Sequence, residues 1–180
     1  MEGLYLFGGQ TADGQAHGEL YIMELGKINL HWKKGSEICT GKPPEPRYYH
    51  TMSRVRQRLI VMGGMNLKKA THQINCFVEQ VGALNLETMS WMTIRIHGEE
   101  GLLRSEHSAA VLPNNQMIFI FGGIDSKFGL YSTIQKLDLT YIHKEQPKSK
   151  MMKMIKSISQ APIQEPKFPR KETKVFSFVK

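Results

Sequence analysis

The 180-residue chain is 41% hydrophobic and 22% charged, which gives it the length and apolar content for one domain with a real core. Its formal charge of +8 is unevenly placed: residues 1–146 hold 15 Lys/Arg against 14 Asp/Glu, and residues 147–180 hold 9 against 2. The body is nearly neutral and the C-terminal segment basic, so charge makes no strong case for nucleic acid or a membrane as the partner of the folded part.

Met1-Glu2-Gly3 leads straight into an apolar run, with no basic n-region and no small-residue cleavage site. The expectation is a chain without a signal peptide, and no apolar run is long enough to cross a bilayer. Cys39 and Cys76 are too few for a disulfide framework. A reducing intracellular compartment, taken as cytoplasmic, is the default reading.

The first unit, roughly residues 1–45, opens with Leu4-Tyr5-Leu6-Phe7-Gly8-Gly9. An apolar run ending in a turn signal reads as a strand buried on both faces. The glycines let the backbone turn where a side chain would forbid it. A polar loop over 10–18 follows, then a strand over 19–25, and Asn29-Leu30-His31-Trp32 is read as a short third strand.

The second unit, roughly 46–102, begins Pro46-Arg47-Tyr48-Tyr49-His50 and turns near Arg56-Gln57. Its glycine-terminated strand is Leu59-Ile60-Val61-Met62-Gly63-Gly64. A long loop is expected from Met65 to about Gln80, then strands at 81–86 and around Trp91. Four short strands with tight turns make one antiparallel sheet.

The third unit, roughly 103–146, carries Arg104-Ser105-Glu106-His107, a turn at Pro113-Asn114-Asn115, and Met117-Ile118-Phe119-Ile120-Phe121-Gly122-Gly123. A strand at 134–139 follows; the tryptophan that closes the other units is missing, with Tyr141-Ile142 as its stand-in. The glycine pairs recur at intervals of 55 and 59 residues, the mark of a repeat architecture.

Three glycine pairs in register, two Arg-x-x-His openings and the closing Trp32 and Trp91 resemble the kelch family over roughly residues 3–142. The resemblance implies an all-β fold, a partial kelch-type β-propeller of about three antiparallel four-stranded blades. Gly82 and Gln135 stand where Tyr21 is the aromatic of the first unit, so the outer strands of those blades are expected to pack less well. Three blades are fewer than the ~4 of the smallest propellers, and no Arg-x-x-His opens the first. These 180 residues are therefore not expected to close a ring unaided, and further blades from another chain are an expected partner.

Residues 147–180 form a basic tail. Met151, Met154, Ile155 and Ile158 fall on one face of a short amphipathic helix. The rest, with Pro162, Pro166 and Pro169 among lysines, is read as disordered.

Candidate chemistry is sparse. Tyr48, Tyr49, His50 and Cys39 supply the residue types of a copper oxidase of the galactose oxidase type, but their spacing shows no convergence from several loops. His107 repeats His50, which favours a structural role for both. His72-x-x-x-Cys76 is half a zinc site. Phe121-Gly122-Gly123 lacks the Lys-Ser/Thr of a phosphate loop. No enzyme activity and no cofactor are expected.

A binding role is the better reading. In a four-stranded blade the loop after Gly-Gly and the link to the next blade emerge at one end, and recognition concentrates on such loops. Lys68, Lys69, His72, Lys127, Phe128 and Tyr131 mix cations with aromatics, a composition suited to an acidic or extended peptide of a protein partner. Arg47 and Arg104 stand where kelch receptors contact ligands, though a repeated residue more often braces its unit. The resemblance thus implies a protein-interaction module or scaffold. The alternative is a substrate-recognition subunit of a cullin-RING ubiquitin ligase, whose recruiting domain this sequence does not contain.

Overall fold

The computed structural model describes residues 2–26, 28–68, 73–76, 80–96, 104–114, 116–125 and 129–140. The tail expected over 147–180 lies outside them, as does the Tyr141-Ile142 pair. Among the described residues there is no α-helix, only one short 3-10 turn at Gly35–Glu37.

Within the described residues eleven strands form three antiparallel sheets in chain order. The first sheet runs β1 (Gly3–Phe7), β2 (Leu20–Glu24), β3 (Trp32–Lys34). The second runs β4 (Tyr48–Val55), β5 (Arg58–Lys68), β7 (Val81–Asn85), β8 (Ser90–Ile94), with β6 (Gln73–Cys76) paired to the far end of β5. The third runs β9 (Ser108–Val111), β10 (Met117–Phe121), β11 (Ile134–Asp138). Each sheet is a blade, and the three stack as part of a kelch-type propeller.

The register aligns the blades residue by residue. His50 lies opposite Gly63 in β4–β5, and Phe121 opposite Ser108 in β9–β10. Gly8, Gly63 and Gly122 are therefore equivalent, with φ of 70°, 65° and 71°. The residue before the first and second glycine pairs, Phe7 and Met62, is buried in the junction with the following blade. Phe7, Leu20 and Ile22 pack on Leu59, Val61, Leu84 and Trp91 of the second blade. Ile60, Met62, Val81 and Ala83 pack on Ile118, Ile120, Leu137 and Leu139 of the third. This is why the central strand of the second blade is apolar on both sides: it faces a neighbouring blade on each.

Three sequence expectations need correction. The stretch after Met65 is not a plain loop. β5 continues to Lys68 and pairs with β6, Met65 opposite Cys76 and Lys68 opposite Gln73. The first blade's third strand is Trp32–Lys34 rather than 29–32. Trp32 pairs with Met23, and the Lys33 ammonium meets the Glu24 carboxylate at 3.0 Å. Gly82 leaves no gap either: it is buried, and the Pro44 ring occupies the place its side chain would take. Gln135 is buried with Oε1 unsatisfied, a poorer filling for the same position of the third blade.

Candidate functional site

The end of the blades that carries the glycine pairs is framed by two arginines. Arg47 is wholly buried and Arg104 nearly so. Arg47 donates from Nη1 to the carbonyls of Gly63 (3.0 Å) and Gln80 (3.3 Å), and from Nε to that of Glu45 (3.1 Å). Arg104 donates from Nη1 to the carbonyl of Gly122 (2.8 Å), and its guanidinium lies 3.9 Å from the centroid of the Tyr131 ring. Each arginine thus ties the first glycine of its own blade. Planar guanidinium with several donors suits a cluster of backbone carbonyls, and a charged donor roughly doubles the strength of such bonds. Burial lowers the pKa of Arg47 to about 10 and that of Arg104 in the same direction. Arg47 remains charged at neutral pH.

The third position of each Arg-x-x-His motif is left-handed, Tyr49 at φ 57° and Glu106 at φ 58°. That turn lets the Glu106 N–H donate to the Tyr49 carbonyl (3.0 Å), stitching blade two to blade three. It also leaves Tyr49 half exposed, its ring edge-on to buried Tyr48. A non-glycine residue in this region is uncommon, and at two equivalent positions it marks a designed turn. The histidines complete the junction. His107 Nε2 and Thr51 Oγ1 share a hydrogen bond of 2.9 Å across blades, and His50 lies edge-on to Phe7 of the first blade. Burial, reinforced by Arg47 beside His50 and Arg104 beside His107, pushes both imidazoles down to about 4. They are neutral at physiological pH.

Side-chain hydrogen bonds tie the described parts of two loops above this frame. In the first blade Thr11 Oγ1 bonds Asp13 and accepts the N–H of Gln15. In the third, Asp125 Oδ1 accepts the Gly129 N–H at 2.8 Å, and the Tyr131 hydroxyl approaches Oδ2 at 3.4 Å. The sequence reading passed over Asp125, whose carboxylate accepts from a residue four positions on rather than within a local turn of its own. A cleft of about 590 Å³, lined by Leu20, Cys39, Pro43, Pro44, Pro46 and Trp91 among others, lies between the first blade and the segment leading to Arg47.

Of the residues singled out for partner binding, Arg47, Arg104 and Tyr131 are brought together around the glycine pairs. Lys68 ends β5, which puts its backbone on the β5–β6 hairpin. Lys69, His72, Lys127 and Phe128 lie outside the described residues. Among the described residues, no three His, Cys, Asp or Glu side chains converge as a metal site would require, and no helix is long and apolar enough to cross a membrane.

Comparison with known proteins agrees with this geometry. The description of the KLHDC2/KLHL20/DRC7 Kelch-repeats domain matches residues 1–150. Kelch domain-containing protein 10 of Xenopus laevis is 31% identical over 128 residues, covering 67% of this chain and 28% of that protein. Human host cell factor 1 is 27% identical over 154 residues, covering 80% of this chain and 7% of that protein. The chain thus spans less than a third of either relative. Among solved structures, that of YjhT superposes with a TM-score of 0.57 at 15% identity, over 76% of this chain and 44% of that one. A likeness at that identity speaks for the fold alone.

Proposed function

We propose, from the premise that this chain belongs to the kelch-repeat family, that it is a protein-interaction module which holds a partner on the loop end of its blades. The observation that carries this reading is the pair of buried arginines. Each fastens the carbonyl of a Gly-Gly turn, so the loops rise from a rigid frame while their sequences differ from blade to blade. A rigid scaffold with variable loops is the usual arrangement for recognition.

Within this reading Arg47 and Arg104 hold the frame, and contact falls to the side chains around them. Tyr131, Lys68, Lys69, His72, Lys127 and Phe128 supply cations and aromatics suited to an acidic or extended segment of a protein. Exposed Tyr49 adds an aromatic anchor beside them.

The test is affinity capture with the full chain, in parallel with a variant carrying Lys68→Glu, Lys69→Glu and Lys127→Glu. A partner retained by the first and lost by the second, with both equally folded by circular dichroism, supports the loop reading. Partners retained equally by both overturn it. A cullin among the partners lost would move the reading to a ligase recognition subunit.

A further inference from the structure

The cleft between the first blade and the segment leading to Arg47 has a fixed wall. Along that segment the Thr40 N–H donates to the Met89 carbonyl at 2.9 Å, and the Thr40 carbonyl accepts from the Trp91 N–H at 2.8 Å. Further on, the Pro44 ring packs over Gly82, and the Arg47 N–H donates to the His17 carbonyl at 3.1 Å. Three prolines in four residues, Pro43, Pro44 and Pro46, restrict the backbone between those anchors. The cavity is therefore held open before anything enters it. Its volume of about 590 Å³ falls among ligand pockets, which span about 300–1,000 Å³.

The lining is apolar except at a few points. Leu20, the prolines and Trp91 supply carbon surface, while Glu19, Glu45 and Lys42 supply charge. Glu19 is held in one orientation. Its Oε1 accepts the N–H of Ser36 at 3.0 Å and of Leu20 at 3.2 Å, and its Oε2 accepts the Ser36 hydroxyl at 2.9 Å. Burial alone would raise its pKa, but the hydrogen bonds from Ser36 and Leu20 prevail and hold the carboxyl below its usual value. The charge is felt across the cleft, where burial first and Glu19 second push the Cys39 thiol up. A carboxylate offers about four acceptor positions. Neutral donors of the first blade take three of them, and the one left is on Oε2. Among the described residues no cation is hydrogen-bonded to it, and the Lys34 ammonium is the least of the influences on it.

The geometry points to this cleft as a site for a lysine side chain of a protein partner, its ammonium on Glu19 Oε2 and its methylene stem along Leu20, Pro46 and Trp91. A single open acceptor position suits the point charge of an ammonium, whereas the fork of a guanidinium calls for two. The Ser36 hydroxyl, which donates its proton to Glu19, keeps lone pairs for a second N–H of the same ammonium. Glu45 adds a second negative charge to the lining, against one positive charge from exposed Lys42. The volume exceeds what one lysine needs, so an apolar neighbour in the partner's sequence enters with it. Gly18 lies against Pro46, and the Gly9 N–H donates to the Arg47 carbonyl at 2.9 Å. The cleft thus adjoins the loop end of the blades, within reach of a chain lying there. The inference goes beyond the loop reading. It uses none of the side chains on which that reading relies and asks for the opposite charge, so either can fail without the other.

The probe is N-acetyl-leucyl-lysine amide, titrated into the isotope-labelled full chain and followed by the indole N–H signals of its two tryptophans. Trp91 lines the cleft and Trp32 stands on β3, so the Trp91 signal should move saturably while the Trp32 signal stays. Glu19→Gln keeps the shape of the side chain and removes its charge; it should weaken binding about tenfold, the effect of a charge-assisted hydrogen bond. Lys42→Ala, at an exposed position that leaves the fold alone, tests the charge independently of Glu19 and should tighten binding about twofold. Hexylammonium, a free amine without the peptide, should need a higher concentration. Absence of a saturable Trp91 shift overturns the proposal. So does equal binding of the leucyl-glutamate analogue, or an affinity unchanged by both substitutions. Hexylammonium binding as tightly as the peptide would give the cleft to a free amine and overturn the protein partner.

Discussion

The second blade and the two that flank it are built from the same pattern under different conditions. Among the described residues the second is covered on both faces, and each of the others on one. At matching positions Val61 and Ile120 are buried, while Leu6 is 54% exposed; Trp91 is buried, while Trp32 is 46% exposed. Nothing in the side chains accounts for the difference, since Leu6 is as apolar as its counterparts. Burial in a stacked repeat belongs to the junction rather than to the blade. Stability and binding should then divide along the same line. Covered positions carry the fold, and uncovered ones are free to take a partner.

The sharpest way to break the comparison is to substitute the same glycine in two blades. Gly63→Val adds a β-branched residue at φ 65° and drives it into His107 and the Arg104 carbonyl, at an expected cost of about 4 kcal/mol or more. Gly122→Val meets nothing within 4 Å among the described residues, leaving the left-handed strain of about 1–3 kcal/mol. Urea unfolding of the two variants checks the ratio. Equal losses would mean that the junctions contribute little.

Arg47→Met comes next. It leaves the carbonyls of Gly63 and Gln80 without their charged donor in a fully buried place, an expected loss of about 3 kcal/mol. Arg104→Met removes the bond to Gly122 and the stacking on Tyr131 at the blade with an open face, and should cost less. Thermal melting orders the two, and a reversed order would place the rigid part of the frame at the third blade.

The junction histidines give a smaller, pH-dependent effect. Folding holds His50 and His107 down to about 4, whereas unfolded histidine titrates near 6.5. Between those values the unfolded chain binds more protons, so stability is fully present above about pH 6.5 and is lost as pH falls toward 4. The slope reaches at most ~1.4 kcal/mol per pH unit for each histidine. Denaturation midpoints from pH 7 to 4.5 should follow that fall, and His50→Gln with His107→Gln should flatten it. Native slope retained in the double variant would assign the acid sensitivity elsewhere.

The two halves of the comparison were not equally legible in the sequence. The glycine pairs, the Arg-x-x-His openings and the apolar strands lie in local spacing, so blade count and strand order could be read directly. The β5–β6 hairpin was passed over, although Met65-Asn66-Leu67-Lys68 and Gln73-Ile74-Asn75-Cys76 each alternate apolar and polar residues as a strand does; the strands are only four residues long and no tight-turn dipeptide joins them. The left-handed turns at Tyr49 and Glu106 are silent too, since neither residue type favours that region. Pro44 filling the space beside Gly82 is likewise a contact between distant segments. The bracing arginines were visible as a repeat, but their targets became visible only when the blades were stacked.

The smallest predicted effect bears most directly on the uncovered faces. Leu6 and Ile120 hold the same place in β1 and β10, one half in water and one enclosed. Ile120→Ala removes enclosed carbons from a junction and should cost about 3 kcal/mol. Leu6→Ala removes carbons already partly hydrated, so its cost should stay below about 1 kcal/mol in dilute chain. The measurement is urea unfolding of both variants at two protein concentrations, because a face covered by another molecule is stabilised by mass action. A Leu6→Ala loss that grows with concentration would identify the first blade's outer face as an association surface. A loss equal to that of Ile120→Ala at every concentration would mean that the face is covered within the molecule, and the asymmetry between the blades would disappear.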